Sequence, residues 1–208
     1  MQIYDITLPL DRTLACWPGD TPYRYRPQLR MQEGASINLG ALEMSVHSGT
    51  HIDAPYHYLA DGATIEALDP AIFLGPARLL DVTGRNPIRI TDLQALRERP
   101  APRILLRTGA WPDPTRFPEA IPVMDEQVPG FLRECGVILV GIDLPSVDVL
   151  DSKTLPIHHL LGACGIHILE SLALRHVPEG DYELIALPLR LVGADGAPVR
   201  AVLRAAGQ

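Results

Sequence analysis

Residues 47–57 read His-Ser-Gly-Thr-His-Ile-Asp-Ala-Pro-Tyr-His, and they say more about the fold and chemistry than any other stretch of the chain. Three of the seven histidines lie here, His47, His51 and His57, with Asp53 among them. Neutral imidazole is the commonest metal ligand in proteins, and mixed histidine and carboxylate sets suit zinc or manganese. So many ligand-type side chains in one short segment predict a metal site rather than isolated surface or core histidines.

The residues between these histidines restrict the backbone of the segment. In a continuous strand, His47 and His51 would stand about 13 Å apart, at the limit of sharing one ion. A helix would place them on one face, but Gly49, the β-branched neighbours and Pro55 oppose a helix. We therefore expect a strand that ends near His47, a turn that Gly49 permits, and an irregular loop that folds His51 and Asp53 back.

A second group of ligand-type side chains lies at 156–170, PIHHLLGACGIHILE. Two adjacent histidines cannot both face one point from a helix or strand, so one of His158 and His159 is the predicted ligand and the other packs or faces solvent. Glu170 follows an apolar run, where an unpaired buried carboxylate would be costly. We expect Glu170 to be buried beside cations, the alternative being an exposed charge at a helix end.

Strand-like segments outnumber helical ones in the rest of the chain. Periodicity and β-branched content predict strands at 2–9, 37–47, 77–83, 103–108, 137–143, 182–192 and 198–204, the last two forming a hairpin around a turn at 194–196. In 37–47, Leu42, Met44 and Val46 should form a dry face. Helices are predicted at 91–99 with Thr91 as N-cap, at 124–135 split by Pro129, and from near His158. The mixture predicts one α/β domain over residues 1–208.

Composition and charge exclude several functional classes. The 208 residues carry 18 Lys and Arg against 25 Asp and Glu, a formal net charge of −7, which opposes nucleic acid or anionic lipid as a partner. The first residues lack the basic region of a signal peptide, and no apolar run approaches the roughly 20 residues that span a bilayer. Three widely spaced cysteines, at 16, 135 and 164, predict no disulfide framework and a cytoplasmic location.

Residues 47–57 resemble the H-x-G-T-H-x-D-x-P-x-H signature of the cyclase-like metal-dependent amidohydrolases. The resemblance covers nearly the whole chain, through the opening YDITLPL with Trp17-Pro-Gly-Asp20, through GIDLPSVD at 141–148, and through LPIHH with the later ILE. It implies a mixed α/β fold of the swivelling β/β/α type, usually assembled as a homodimer. It also implies two zinc ions per subunit, although some relatives use manganese.

The resemblance assigns a role to each ligand-type residue. His47, His51 and Asp53 would hold the first ion, Asp53 would bridge to a second ion that also takes His158, and Glu170 would reach both. His158 is chosen over His159 because the family ligand lies twelve residues before the glutamate. His57 matches the proton donor and acceptor, and Trp17 matches an aromatic residue that contacts substrate. From its neighbours alone, Trp17 is equally a packing residue under a loop.

The members that the chain most resembles hydrolyse an aryl formamide. The resemblance implies hydrolysis of N-formyl-L-kynurenine to L-kynurenine and formate in tryptophan degradation, by metal-bound hydroxide with His57 as general acid and base. Ser48 and Ser146 lie in no G-x-S-x-G elbow, which disfavours a serine esterase. The alternatives are a hydrolase of the same family that acts on another aryl amide such as isatin, or a non-catalytic protein whose fold is stabilised by a structural metal. Asp143 and Asp148 would either orient ligands or cap loops.

Overall fold

The computed structural model describes residues 2–205, in which short strands outnumber short helices. The strands are β1 (Ile3–Asp5), β2 (Arg24–Leu29), β3 (Leu39–Glu43), β4 (His51–Asp53), β5 (Leu74–Asp81), β6 (Arg103–Arg107), β7 (Leu139–Ile142), β8 (His167–Glu170), β9 (Gly180–Ile185), β10 (Gly196–Pro198) and β11 (Val202–Ala205). The α-helices are α1 (Ala95–Glu98), α2 (Val128–Glu134) and α3 (Pro156–Ala163). Short 3-10 helices lie at Met31–Glu33, Pro55–His57, Ile65–Ala67, Pro70–Phe73 and Ile90–Asp92.

One mixed sheet contains most of these strands. Its order is β1-β11-β9-β5-β6-β7-β8-β4-β10, with β5, β6, β7 and β8 parallel and the flanking pairs antiparallel. Parallel strands need long crossovers, and α1, α2 and α3 lie in the crossovers between β5, β6, β7 and β8. The predicted mixed α/β fold is therefore confirmed.

The sheet curls so that its two edges approach each other. β10 lies at one edge and β11 lies one strand in from the other, yet only residues 199–201 separate them in sequence. Four peptide steps span at most about 14 Å, so the edges must be close. Thr7, just after β1, accordingly forms a bridge with Leu172, just after β8. The curl brings the ends of several strands to one place.

The central strands are buried on both faces. Ile104 and Leu106 of β6 pack with the helical side chains Leu96, Phe131 and Leu161. Leu105, pointing the other way, belongs to a second core with residues that include Phe73, Leu184 and Leu203. Parallel strands covered on both faces are continuous apolar runs in sequence. The strands predicted at 77–83, 103–108 and 137–143 are thus confirmed, within a few residues at each end.

The segment 37–47 differs from its prediction. Only 39–43 is a strand, and it pairs with β2, a strand that the sequence did not reveal, in a separate two-stranded sheet. Leu42 is 57% exposed, so the predicted dry face is wrong for this chain. Pro27 and the charged residues of β2 obscured its strand character, because proline in a strand is confined to edges.

Three further predictions are corrected by the structure. The predicted hairpin is only partly present: β9 pairs with β11, but the connection between them is long, because residues 196–198 within it pair with β4. Pro129 lies in the first turn of α2, where its missing N–H is tolerated, so it begins this helix instead of splitting it. Thr91 is not an N-cap: it lies inside a 3-10 helix, and α1 begins at Ala95.

The three cysteines are free thiols, in agreement with the prediction of no disulfide framework. Within residues 2–205, no helix is long and apolar enough to cross a bilayer.

Candidate active site

Three of the predicted ligands lie on one face of two paired strands. β4 pairs with β8 so that His51 faces Glu170 directly, and Asp53 lies two residues along the same strand face. All three are buried, with at most 3% exposure. The expected turn before His51 is present, and Gly49 adopts φ 64° there. The expected irregular loop at His51–Asp53 is wrong, because β8 and β10 pair with both edges of this segment.

On helix α3 the two adjacent histidines, His158 and His159, differ in burial. His158 is buried beside Asp53 and Glu170, whereas His159 is exposed and its ring packs edge-on against Tyr58. The placement therefore agrees with the choice of His158 as the candidate ligand. Glu170 is buried next to these groups and is not an exposed helix-end charge.

Asp148 has both of the roles that the sequence left open. Its carboxylate accepts hydrogen bonds from the backbone N–H groups of Ile157 and His158, at 3.0 and 3.1 Å, and so caps α3. The same carboxylate accepts from Nδ1 of His158 at 2.7 Å, which orients the imidazole. Asp143 only holds a loop, since it accepts from the backbone and hydroxyl of Thr108 and from the N–H of Gly109.

The candidate ligand atoms form two overlapping triads. His47, His51 and Asp53 form one, and Asp53, His158 and Glu170 form the other, with the atoms of each triad within 4.8 Å of one another. Nδ1 of His47 lies 3.0 Å from Asp53 Oδ1. Asp53 is shared by both triads, which is the arrangement expected of a bridging carboxylate.

The hydrogen bonds of the histidines test whether a cation fits. Nδ1 of His51 donates to the carbonyl of Gly49, which leaves Nε2 as an acceptor 3.2 Å from Asp53 Oδ1 and 3.5 Å from Glu170 Oε2. His158 likewise donates from Nδ1 and turns Nε2 toward Asp53 and Glu170, at 3.5 and 3.7 Å. Lone pairs that converge on carboxylates repel unless a proton or a cation lies between them. The donor set therefore fits a divalent metal.

Two further observations support this fit. Oδ2 of Asp53 is buried and accepts no hydrogen bond from residues 2–205. Ligands about 2.0–2.2 Å from a tetrahedral zinc lie about 3.3–3.6 Å apart, close to the 3.0, 3.2 and 3.5 Å between histidine nitrogens and Asp53 oxygens in the two triads. A buried carboxylate oxygen without a donor is costly, and a metal removes that cost.

The charges of the cluster are strongly coupled. Burial, followed by the charge of Asp53, raises the pKa of Glu170 well above its usual value. Burial would also raise the pKa of Asp53, but the nearby imidazoles of His158, His47 and His51 hold it well below its usual value. For His47 and His158, carboxylate neighbours outweigh burial and raise each pKa to about 10. Without a cation the site therefore keeps protons on these histidines, and metal binding must displace them.

His57 differs electrostatically from the candidate ligands. It ends the 3-10 helix Pro55–His57, and its ring lies 4.1 Å from that of His47 and 5.9 Å from that of His158. Burial is the largest effect on its pKa and lowers it. A neutral imidazole beside the triads can accept a proton at physiological pH.

A cavity of about 310 Å³ opens onto both triads and His57. Trp17 lies in its wall, 39% exposed, with its ring edge-on to Phe117 at 5.0 Å between centroids. Trp111 completes an aromatic wall. No sequence pattern singles out Trp111 and Phe117, because they lie in a proline-rich loop, 109–122, without strand or helix periodicity.

Backbone strain marks the same region. Leu155, just before α3, and Ser171, just after β8, are the non-glycine residues with positive φ in the described part of the chain, at 44° and 58°. Both line the cavity. Such conformations cost about 1–3 kcal/mol each and cluster at functional sites. Here they flank the elements that carry His158 and Glu170.

The chain is similar in sequence to a protein family and to named enzymes. The Cyclase family model ("Putative cyclase") matches residues 4–149. The chain is 51% identical to the kynurenine formamidase of Geobacillus thermodenitrificans, over 98% of this chain and 97% of the relative. It is 48% identical to the kynurenine formamidase of Bacillus cereus strain ATCC 14579, over 96% of each.

Solved structures show the same architecture. A potential metal-dependent hydrolase with cyclase activity superposes with a TM-score of 0.82 at 30% identity, covering 97% of this chain and 96% of the other. Isatin hydrolase A from Labrenzia aggregata superposes with a TM-score of 0.83 at 22% identity, covering 97% and 93%, and shows the fold alone. Family model, curated relatives and fold all agree, and the chain belongs to the Cyclase family of metal-dependent hydrolases.

Proposed function

We propose that this protein hydrolyses N-formyl-L-kynurenine to L-kynurenine and formate, a step of tryptophan degradation. One observation carries the proposal: two ligand triads that share the buried Asp53 open onto an aromatic-walled cavity that His57 also lines. The relatives at 51% and 48% identity are named kynurenine formamidases, whereas the isatin hydrolase is more distant at 22%. A formyl anilide has the aromatic ring and the amide that this arrangement suits.

Two zinc ions, or manganese in their place, suit the triads. His47, His51 and Asp53 would hold one, and Asp53, His158 and Glu170 the other, with Glu170 near both through its two oxygens. An ion bound there would lower the pKa of a water toward about 7 and polarise the formyl carbonyl. A non-catalytic protein with a structural metal is disfavoured because structural zinc sites are closed, whereas these triads face a cavity.

His57 is the proposed general acid and base. With Nδ1 turned toward Asp195 at 3.3 Å, its Nε2 is available to substrate. It would accept a proton from the attacking water and return it to the aniline nitrogen as the C–N bond breaks. Because burial lowers its pKa, the imidazole is neutral and ready to accept that proton near pH 7.

Trp17 is the proposed substrate contact. An aromatic pair is worth about 0.5–1.5 kcal/mol beyond the area it buries. The edge-on packing against Phe117 holds the indole in the cavity wall, so that it is available to the aryl ring of the substrate.

The direct test is turnover of N-formyl-L-kynurenine by the purified protein, followed by absorbance of the product. We expect turnover that chelation abolishes and that added zinc restores. The variant His57→Ala should retain its metal and lose most turnover. No turnover in a metal-loaded sample, together with hydrolysis of isatin, would overturn the substrate assignment and leave the family intact.

A homodimer is the proposed assembly, supported by the separate β2–β3 sheet. Isolated two-stranded sheets are marginal in water, and this one exposes apolar side chains that a second copy would cover. They are Tyr25, Leu29, Leu39 and Leu42, with Met31 and Ile37 beside them. Sedimentation should give the mass of two chains, and Leu42→Asp should shift it toward one. A monomeric wild-type protein at micromolar concentration would contradict this proposal.

The cytoplasm is the proposed compartment, because all three cysteines are free thiols. Two of them, Cys135 and Cys164, pack against the core that contains Ile104 and Leu106. Cell fractionation of the source organism would check it, and recovery of the active protein outside the cytoplasmic fraction would contradict it.

A further inference from the structure

Asp195 belongs to neither of the two triads that share Asp53, but its carboxylate forms a third converging group with His47 and His57. It is in the loop that leads into β10, and it was not among the ligand-type residues that the sequence analysis singled out. One carboxylate oxygen, Oδ2, lies 2.9 Å from Nε2 of His47 and 3.3 Å from Nδ1 of His57. A single anion therefore contacts a candidate metal ligand and the candidate base at the same time.

The hydrogen bonds determine which nitrogen of each ring carries a proton. A carboxylate only accepts, so His47 donates from Nε2 and His57 donates from Nδ1. The other nitrogen of His47, Nδ1, lies 3.0 Å from Asp53 Oδ1 inside the first triad, where it carries a proton in the absence of a metal and would give its lone pair to a bound one. The other nitrogen of His57, Nε2, is free to accept a proton in the cavity.

The backbone holds Asp195 in position. Its carbonyl accepts a hydrogen bond from the N–H of Ala54 at 2.9 Å, and the preceding carbonyl, of Ala194, accepts from Ile65 at 3.0 Å. The next residue, Gly196, pairs with Asp53 across β10 and β4. A Cβ at Gly196 would lie 2.9 Å from Cε1 of His47, so the glycine allows the close approach of this strand to the ring.

We propose that Asp195 is a positioning residue shared by His47 and His57. It keeps Nδ1 of His47 directed at the first metal position and keeps Nε2 of His57 unprotonated for proton transfer. Metal-ligating histidines commonly donate their second N–H to a carboxylate, and a base oriented by a carboxylate is the arrangement of hydrolytic triads. Here one carboxylate serves both purposes. The part that concerns His57 rests on the proposed function, whereas the part that concerns His47 rests only on the metal site.

The test compares Asp195→Asn with Asp181→Asn in the full-length, zinc-loaded protein. Asp181 is a matched control, since its side chain is 43% exposed against 41% for Asp195. It also accepts hydrogen bonds from two basic side chains, those of Arg78 and Arg99, and it does not line the cavity. Three quantities are measured: zinc affinity and content, kcat and KM, and the His57 tautomer from long-range ¹H–¹⁵N spectra. His57→Gln assigns the signal.

We expect the wild-type protein to show the Nδ1–H tautomer at His57, and Asp195→Asn to shift it toward Nε2–H. Zinc affinity and kcat should each fall about 10- to 100-fold, with KM changed by less than about threefold. The zinc content at saturation should stay unchanged, and Asp181→Asn should resemble wild type in all three measurements.

Several results would overturn the proposal. An Nε2–H tautomer in the wild type would remove the contact with His57, and unchanged zinc affinity in Asp195→Asn would remove the contact with His47. A loss of one zinc per chain at saturation would make Asp195 a metal ligand instead. If the tautomer and zinc affinity shift as expected while no protein hydrolyses N-formyl-L-kynurenine, the positioning role stands and the proposed function fails.

Discussion

Asp148 connects the stability of the fold to the metal site, and its replacement by asparagine separates the two effects. The buried carboxylate, 1% exposed, accepts three hydrogen bonds, two from backbone N–H groups of α3 and one from Nδ1 of His158. These bonds outweigh the effect of burial and hold the pKa of Asp148 below its usual value. Asp148→Asn therefore replaces a buried anion by a group with a single accepting oxygen.

The expected cost follows from these contacts. The amide NH₂ must face at least one N–H of α3, and a buried donor without a partner costs about 1–3 kcal/mol. The bonds that remain lose their charge assistance, which adds about 1 kcal/mol. The free energy of unfolding of the metal-free protein should therefore fall by about 2–4 kcal/mol. Zinc affinity should weaken about 10- to 100-fold, because His158 loses the group that orients it.

Urea unfolding of the metal-free protein and a zinc titration against a competing chelator measure the two effects. Asp69→Asn is the matched control: Asp69 is exposed, caps the 3-10 helix Pro70–Phe73 through the N–H of Ala71, and asparagine caps equally well. Its free energy of unfolding should change by less than about 0.5 kcal/mol. An Asp148→Asn protein as stable as this control, with wild-type zinc affinity, would refute the reasoning.

Three other predictions concern the core, the cavity and the paired histidines. Gly141→Ala should destabilise the fold by about 1–3 kcal/mol, because its Cβ would overlap leucine side chains on either side of β7. Gly130→Ala in α2, with open space around it, should instead stabilise the fold by about 0.5–1 kcal/mol. Urea unfolding measures both free energies, and equal effects of the two variants would contradict the packing. Trp17→Ala should raise KM about two- to tenfold and Trp17→Phe less, as initial rates will show, while an unchanged KM would exclude the contact. His158→Gln should lose bound zinc measured by elemental analysis, whereas His159→Gln should keep it, and the reverse result would exchange their roles.

Local patterns were sufficient for the features that depend on local physics. The continuous apolar runs around Ile104 and Val140 predicted buried central strands, because a strand covered on both faces has no polar side to display. The spacing of His47, His51 and Asp53 predicted a ligand cluster, since the chemistry of those side chains does not depend on which elements carry them. The choice between His158 and His159 came from the resemblance, and the geometry of α3 agrees with it.

The tertiary structure decided everything that depends on a distant partner. His51–Asp53 reads as a loop locally and is a strand because β8 and β10 supply its hydrogen bonds. Leu42 belongs to an alternating segment that predicts a buried face, but nothing in residues 2–205 covers it. Alternation shows which residues share a face of a strand, and it does not show what lies against that face. Asp195 reads as a turn residue and reaches His47 and His57 only because the curled sheet pairs Gly196 with Asp53. His47, His51 and Asp53 lie close together in sequence and indicate a ligand cluster by themselves, whereas Asp195 is brought to two of the histidines only by strand pairing.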